Sequence, residues 1–161
     1  MIFVAVGTQF SFDRLIQYMD EWASQEENSE AVIAQISDGE YEPQHLQWQR
    51  FLSGDEYNNN IQKASVFVSH AGMGNIISAR DQQTPIIVMN RQFKLGEHRN
   101  DHQTEGLQWM AKLDGVYTAS NQQELYQHLS NISQLKAAES NHVGNQQLSD
   151  YIADFISGKS S

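Results

Sequence analysis

Short apolar runs alternate along the chain with segments whose apolar residues recur at helical spacing. The run at 2–6 predicts a strand, and Leu15, Ile16 and Met19 then predict a helix from about Phe12, with Ser11 as its N-cap. The same reading predicts further strands at 31–36, 46–52, 66–68, 86–89 and 115–118, and helices at 54–63, 75–82, 97–112, 121–132 (capped by Asn121) and 148–156.

This alternation of strand and helix predicts an α/β fold with a parallel sheet covered on both faces, because parallel strands buried on both sides consist of continuous apolar residues. A chain of 161 residues is expected to form one domain, here 1–157 with a short tail at 158–161. Ligands of such sheets bind beyond the carboxyl ends of the strands. We therefore look for chemistry in the segments that follow the strands.

Composition narrows the classes of partner. The net charge of −10 argues against nucleic acid and anionic lipid as direct partners. The sequence has no cysteine, and no apolar stretch is long enough to span a bilayer. The start of the chain reads as a strand rather than a signal peptide, so we expect a cytoplasmic protein.

The first candidate site is the turn after the first strand. Gly7 and Thr8 could supply backbone amides to a diphosphate, or they could form a simple connecting turn.

The second candidate is the turn after the strand at 66–68. His70 can donate to a phosphate or sugar oxygen, and Gly72 and Gly74 allow close backbone approach before Asn75. The following helix would direct its positive end at a bound anion. The turn lacks the Lys-Ser/Thr pair of a P-loop, and Ile77 replaces the third glycine of the dinucleotide fingerprint. A structural turn around a buried histidine is the alternative.

The third candidate is a polar cluster beyond the strand at 86–89. His98 and His102 are four positions apart, which suggests a metal site, but the H-E-x-x-H pattern is absent and we expect no metal. A solvated helix start is one alternative, and recognition of sugar hydroxyls is another, since such side chains both donate and accept. The members are Glu97, His98, Asn100, Asp101, His102 and Gln103.

Taken together, the segments 69–74, 85–88 and 96–103 resemble the C-terminal domain of family 28 glycosyltransferases, and the opening 4–13 also fits. The nearest resemblance is to the stand-alone form of that domain. This form includes the cytosolic donor-binding subunit of the dolichol-linked N-acetylglucosaminyltransferase and bacterial exopolysaccharide and capsule subunits. The resemblance implies the Rossmann-like C-terminal half of a GT-B glycosyltransferase, which binds a UDP-sugar without metal or other cofactor.

The resemblance also implies roles for individual residues. Gly7 and Thr8 would lie near the diphosphate, and His70, Gly72, Gly74 and Asn75 would form the turn against the phosphates. The donor sugar would contact His102, Gln103 and Asp101, with Glu97, His98 and Asn100 in the same motif. Many relatives have an acidic ribose clamp where this chain has Ser78.

A full GT-B enzyme carries its acceptor site on a further domain, for which this sequence has no room. The resemblance therefore implies the donor-binding subunit of a two-component transferase, inactive without a membrane-anchored acceptor-binding partner. Such a subunit would lie at the inner membrane through that partner and transfer sugar to a lipid-linked saccharide in surface polysaccharide synthesis. The alternatives are a non-catalytic nucleotide-sugar-binding module and an enzyme that acts on the nucleotide-sugar itself. No catalytic base is assigned, and the chain could form a homo-oligomer.

Overall fold

The computed structural model describes residues 1–7, 11–28, 30–90 and 110–138. In this part of the chain the elements are β1 (Ile2–Ala5), α1 (Asp13–Ala23), β2 (Val32–Gln35), β3 (Gln47–Gln49), α2 (Gly54–Lys63), β4 (Val66–His70), α3 (Met73–Asp81), β5 (Ile86–Met89), β6 (Val116–Ala119) and α4 (Gln122–Ser130). A 3-10 turn at Ile132–Gln134 follows α4.

The described strands form one parallel sheet in the order β3-β2-β1-β4-β5-β6. Its central strands β1, β4 and β5 are apolar over nearly their whole length and buried on both sides, as parallel strands between two helical layers must be. The predicted fold class, a Rossmann-like parallel sheet with helices on both faces, is confirmed.

Two hydrophobic cores cover the two faces of the sheet, and the alternation along the strands divides the residues between them. On one face, α1 and α4 bury Leu15 and Leu125 against Val4. On the other, α2 and α3 bury Ile61 and Ile76 against strands β1, β4 and β5. Each such side chain contributes about 1.5–3 kcal/mol by leaving water, so the two layers hold the sheet rigidly between them.

The predicted helix boundaries differ from the observed ones at three places. Ser11 is not the N-cap of α1: Phe12 occupies that position without a side-chain cap, and its ring is buried in the core. Helix α3 begins at Met73, two residues before the predicted start, because the extended backbone ends at Gly72. Helix α4 has the predicted Asn121 cap but ends at Ser130. The predicted helices at 97–112 and 148–156 lie wholly or largely outside the described residues.

A buried carboxylate fixes the loop between β2 and β3. Asp20 of α1 is 2% exposed and accepts from the backbone amides of Gln44 at 3.1 Å and His45 at 2.7 Å. It also accepts from the Tyr41 hydroxyl. These bonds satisfy the charge and attach the loop to the helix layer, as burial of a carboxylate requires.

Gly115 lies just before β6 with φ +80°, a left-handed conformation that glycine adopts without strain. A Cβ there would lie 2.4 Å from the backbone nitrogen of Ala138. The segment after α4 therefore passes directly over this glycine.

Candidate functional site at the sheet switch point

The strand order places a crevice between the carboxyl ends of β1 and β4. The chain runs outward from β1 to β2 and β3, then returns to lay β4 on the other side of β1 and continues in the opposite direction. The connections that follow β1 and β4 lead to opposite faces of the sheet, which opens a crevice between the two strand ends. Open α/β sheets bind ligands at this position. Gly7 follows β1 here, and His70 ends β4.

The His70 imidazole fills the space between two glycines. A Cβ on Gly7 would lie 2.9 Å from His70 Cε1, and a Cβ on Gly72 would lie 2.7 Å from His70 Nε2. Real Cβ atoms do not come so close, so the ring can occupy this position only because both neighbours lack a side chain. Gly7 also has φ +85°, whereas Gly72 is in the ordinary extended region.

Gln35, at the end of β2, clamps the exit of β1. Its Oε1 accepts from the amides of Val6 and Gly7, each at 3.2 Å, and its Nε2 donates to the carbonyls of Gly7 at 3.0 Å and Arg50 at 2.8 Å. Gln35 is 3% exposed, so these bonds are made away from solvent. The Gly7 amide is thereby already engaged, and Gly7 shapes the crevice through its conformation and small size.

A second set of polar contacts lies on the other side of His70. Asn75 Nδ2 lies 3.4 Å from His70 Nδ1, and Asn75 Oδ1 accepts from the Tyr57 hydroxyl of α2. Burial raises the pKa of Tyr57 well above the ordinary tyrosine value, so the phenol keeps its proton. The histidine is thus connected to two different helices.

Helix α3 begins directly at this crevice. Gly72 is its N-cap, and its first turn contains no acidic residue. The first amides of a helix have no partners within it, and they lie at the positive end of its dipole. A Cβ on Gly74 would meet nothing within 4 Å, so the start of the helix is open on that side. This arrangement suits an anionic group.

The exit of β5 is tied to the opposite helix layer. Arg14 of α1 donates to the Asn90 carbonyl at 2.9 Å, and its guanidinium lies over the rings of Phe12 and Tyr18.

Within the described ranges, no cluster of three or more His, Cys, Asp or Glu residues is arranged to hold a metal ion.

Of the twelve residues predicted to bind substrate, the described part of the chain contains five. His70 lies against Gly7 and Gly72 and beside Asn75, and Gly74 follows in the same turn. The remaining seven lie outside the described residues: Thr8, Glu97, His98, Asn100, Asp101, His102 and Gln103.

The sequence model of the glycosyltransferase family 28 C-terminal domain matches residues 1–154. The chain belongs to this family. The family membership inferred from 69–74, 85–88 and 96–103 is therefore confirmed. A search of the curated proteins finds no relative of the chain.

Solved structures of two transferases share the fold of this chain. The glycotransferase of kitacinnamycin aligns with a TM-score of 0.59 at 14% identity, covering 96% of this chain and 39% of that one. The spinosyn forosaminyltransferase SpnP aligns with a TM-score of 0.54 at 15% identity, covering 82% of this chain and 34% of that one. This chain thus spans well under half the length of each of these two enzymes.

Sequence reasoning missed two residues of this family 28 domain that shape the crevice. The sequence places Gln35 within the predicted strand at 31–36 and Tyr57 within the predicted helix at 54–63, with no role in the site for either. A glutamine at the carboxyl end of an otherwise apolar run was the available signal for Gln35, since burying an amide needs four partners there.

No helix in the described portion has the length and hydropathy needed to cross a membrane.

Proposed function

We propose that this chain binds the donor UDP-sugar for a glycosyltransferase that works as two components. The single observation that carries the proposal is the crevice between β1 and β4, where His70 and the start of α3 lie together at the switch point of a family 28 domain. In this proposal the diphosphate lies against His70, Gly72 and the first turn of α3, with Gly7 and Thr8 opposite.

The chemistry of the crevice supports a leaving diphosphate. Helix amides and a histidine N–H donate to phosphate oxygens without a basic side chain, and they would stabilise the negative charge that develops as the sugar bond breaks. The segment with Glu97, His98, Asn100, Asp101, His102 and Gln103 would then contact the sugar, with hydroxyl-recognising side chains from the β5 side of the sheet.

The acceptor side would come from a partner. The solved GT-B enzymes are more than twice as long as the segment this chain matches. We propose a membrane-anchored subunit that holds a lipid-linked saccharide, with this acidic chain located in the cytoplasm at the inner membrane surface through that partner. The pathway would be surface polysaccharide synthesis, and the isolated chain would transfer no sugar.

Calorimetric titration tests the donor site. UDP, UDP-glucose, UDP-N-acetylglucosamine and UDP-glucuronic acid are titrated in turn, with GDP as a mismatched base and with a chelator to exclude divalent metal. We expect UDP and at least one UDP-sugar to bind with the chelator present. His102→Ala should weaken the UDP-sugar and leave UDP itself unchanged.

Failure of every UDP species to bind at millimolar concentration would remove the donor assignment. Transfer of labelled sugar into extracted lipid should require a membrane fraction that contains the partner. Hydrolysis or epimerisation of a UDP-sugar by the pure chain would instead indicate an enzyme that acts on the nucleotide-sugar itself.

A further inference from the structure

We propose that Tyr57 is a positioning residue that, through Asn75, holds the proton of neutral His70 on Nε2. The three side chains come from separate elements, α2, α3 and β4. They form a continuous series in which the Tyr57 hydroxyl reaches Asn75 Oδ1, and Asn75 Nδ2 reaches His70 Nδ1 at 3.4 Å.

The direction of these hydrogen bonds follows from the orientation of the Asn75 amide in the structure, in which Oδ1 faces the Tyr57 hydroxyl and Nδ2 faces His70. Against an amide oxygen the phenol can only donate, which leaves the amide nitrogen to His70. An amide nitrogen only donates, so His70 Nδ1 must accept, and the one proton of the neutral imidazole must then be on Nε2.

Packing keeps Tyr57 in this role. Its ring makes edge contacts with Phe3 at 5.6 Å and Phe67 at 5.9 Å between centroids, both of which are fully buried in the core. Aromatic contacts of this geometry hold a ring in place, and the hydroxyl is then fixed at its end. Because burial raises the pKa of Tyr57, the donor is present throughout the physiological pH range.

His70 Nε2 lies on the Gly72 side of the ring, next to the N-cap of α3. A proton held there is directed toward the position at which the proposed function places the diphosphate. The consequence for binding rests on that proposed function, whereas the tautomer itself does not.

Nitrogen-15 NMR of the imidazole rings tests the tautomer without any nucleotide. His70 is one of six histidines, and the spectrum of His70→Ala assigns its signals. At about pH 8, above the ordinary histidine pKa of about 6.5, we expect a protonated Nε2 and an unprotonated Nδ1.

Two variants perturb the series in different ways. Tyr57→Phe keeps the ring and removes the donor, so the asparagine can reverse and the His70 signals should move toward a mixture of tautomers. Asn75→Asp supplies an acceptor to Nδ1 and should transfer the proton there. If UDP binds as proposed, Tyr57→Phe should weaken it about five- to tenfold, the effect of one misdirected hydrogen bond, and Asn75→Asp should weaken it more, because its carboxylate also repels the diphosphate.

Tyr126→Phe is the matched control, since Tyr126 also donates its hydroxyl, to the Tyr18 carbonyl at 2.6 Å on the opposite face of the sheet. It should leave the His70 signals and UDP affinity unchanged. A wild-type proton on Nδ1, or unchanged His70 signals in either Tyr57→Phe or Asn75→Asp, would overturn the inference. An altered tautomer without any UDP binding would preserve it and overturn only the donor assignment.

Discussion

Replacing Gly72 with alanine adds one methyl group at the position where the His70 ring leaves no room. The new Cβ would lie 2.7 Å from His70 Nε2 and 3.1 Å from Cδ2. Gly72 has φ −138° and ψ 137°, a conformation open to any residue, so alanine there adds no backbone strain. The cost therefore comes from the contact with the ring and from the N-cap position of Gly72, where alanine is poorer than glycine.

The magnitude follows from the degree of overlap. The ring must move by several tenths of an ångström, and because His70 is only partly buried this shift should cost about 1 kcal/mol, the low end of the range for overpacking; the poorer N-cap adds up to about 1 kcal/mol more. We expect Gly72→Ala to lower the free energy of unfolding by the sum of the two, measured by urea denaturation followed through tryptophan fluorescence. UDP affinity, if the donor assignment holds, should fall as the ring is displaced.

Gly74→Ala is the matched control within the same turn. Its Cβ would meet nothing within 4 Å, and it lies inside α3, where alanine is favoured over glycine by up to about 1 kcal/mol. This variant should be as stable as the wild type or more stable.

A double-mutant cycle identifies the partner in the clash. In the background of His70→Ala the ring is gone and only the N-cap cost should remain, so Gly72→Ala should cost about 1 kcal/mol less than in the wild type, which is the expected coupling. If Gly72→Ala is as harmful without the ring as with it, or if Gly74→Ala is equally harmful, the interpretation of Gly72 as space for His70 is wrong.

Three further variants probe features of the scaffold. Gln35→Ala removes the side-chain acceptor of the Gly7 amide and the donor to two carbonyls, whereas the Val6 amide keeps the backbone carbonyl of residue 35 at 3.3 Å; the free energy of unfolding should fall by about 1–3 kcal/mol in urea titrations. The hydrogen bond to Asp20 raises the pKa of Tyr41 to about 12. The stability that this bond contributes is therefore fully present below the unfolded-state tyrosine pKa of about 10 and is lost as the pH rises from 10 to 12. Tyr41→Phe should flatten that part of the profile of unfolding free energy against pH. Gly115→Ala introduces both a strained φ and an overlap with Ala138, and its melting temperature should fall by several degrees.

Each of these results has a clear opposite. A Gln35→Ala protein of unchanged stability would mean that water replaces the clamp. Equal alkaline profiles for wild type and Tyr41→Phe would assign the loss of stability above pH 10 to other groups. A fully stable Gly115→Ala protein would show that the segment after α4 can move away from the glycine.

The fold was predictable because buried strands and helices have characteristic local patterns of apolar residues. The runs at 2–6, 66–68 and 86–89 are continuous apolar residues, and a strand between two helical layers needs that pattern. The Asn121 cap and the helix that follows it were likewise predictable, because a cap and its helix are adjacent in the sequence. Ser11 failed as a cap because burying the Phe12 ring places that residue at the helix start.

The partners within the candidate site were not predictable in this way. The positions of Gly7, His70 and Gly72 at strand ends followed from their neighbours, but the contact between Gly7 and His70 depends on β1 pairing with β4. Tyr57 reaches Asn75 from another helix, and no spacing in the sequence marks that pair. Contacts between distant segments require the strand order, which periodicity alone does not contain.

The pairing of β1 with β4 also has a consequence for how the domain folds. Ile2 pairs with Val32 on one side and with Val66 on the other, so pairing β1 with β2 closes a shorter loop of chain than pairing β1 with β4. Loop closure costs more entropy as the loop lengthens, and we expect β1 and β2 to associate before β4 joins them, an order that pulse-labelled hydrogen exchange can resolve. The crevice at His70 would then come into existence only with the last step of sheet assembly. A nucleotide bound there would recognise the completed domain alone and stabilise it against global unfolding by mass action.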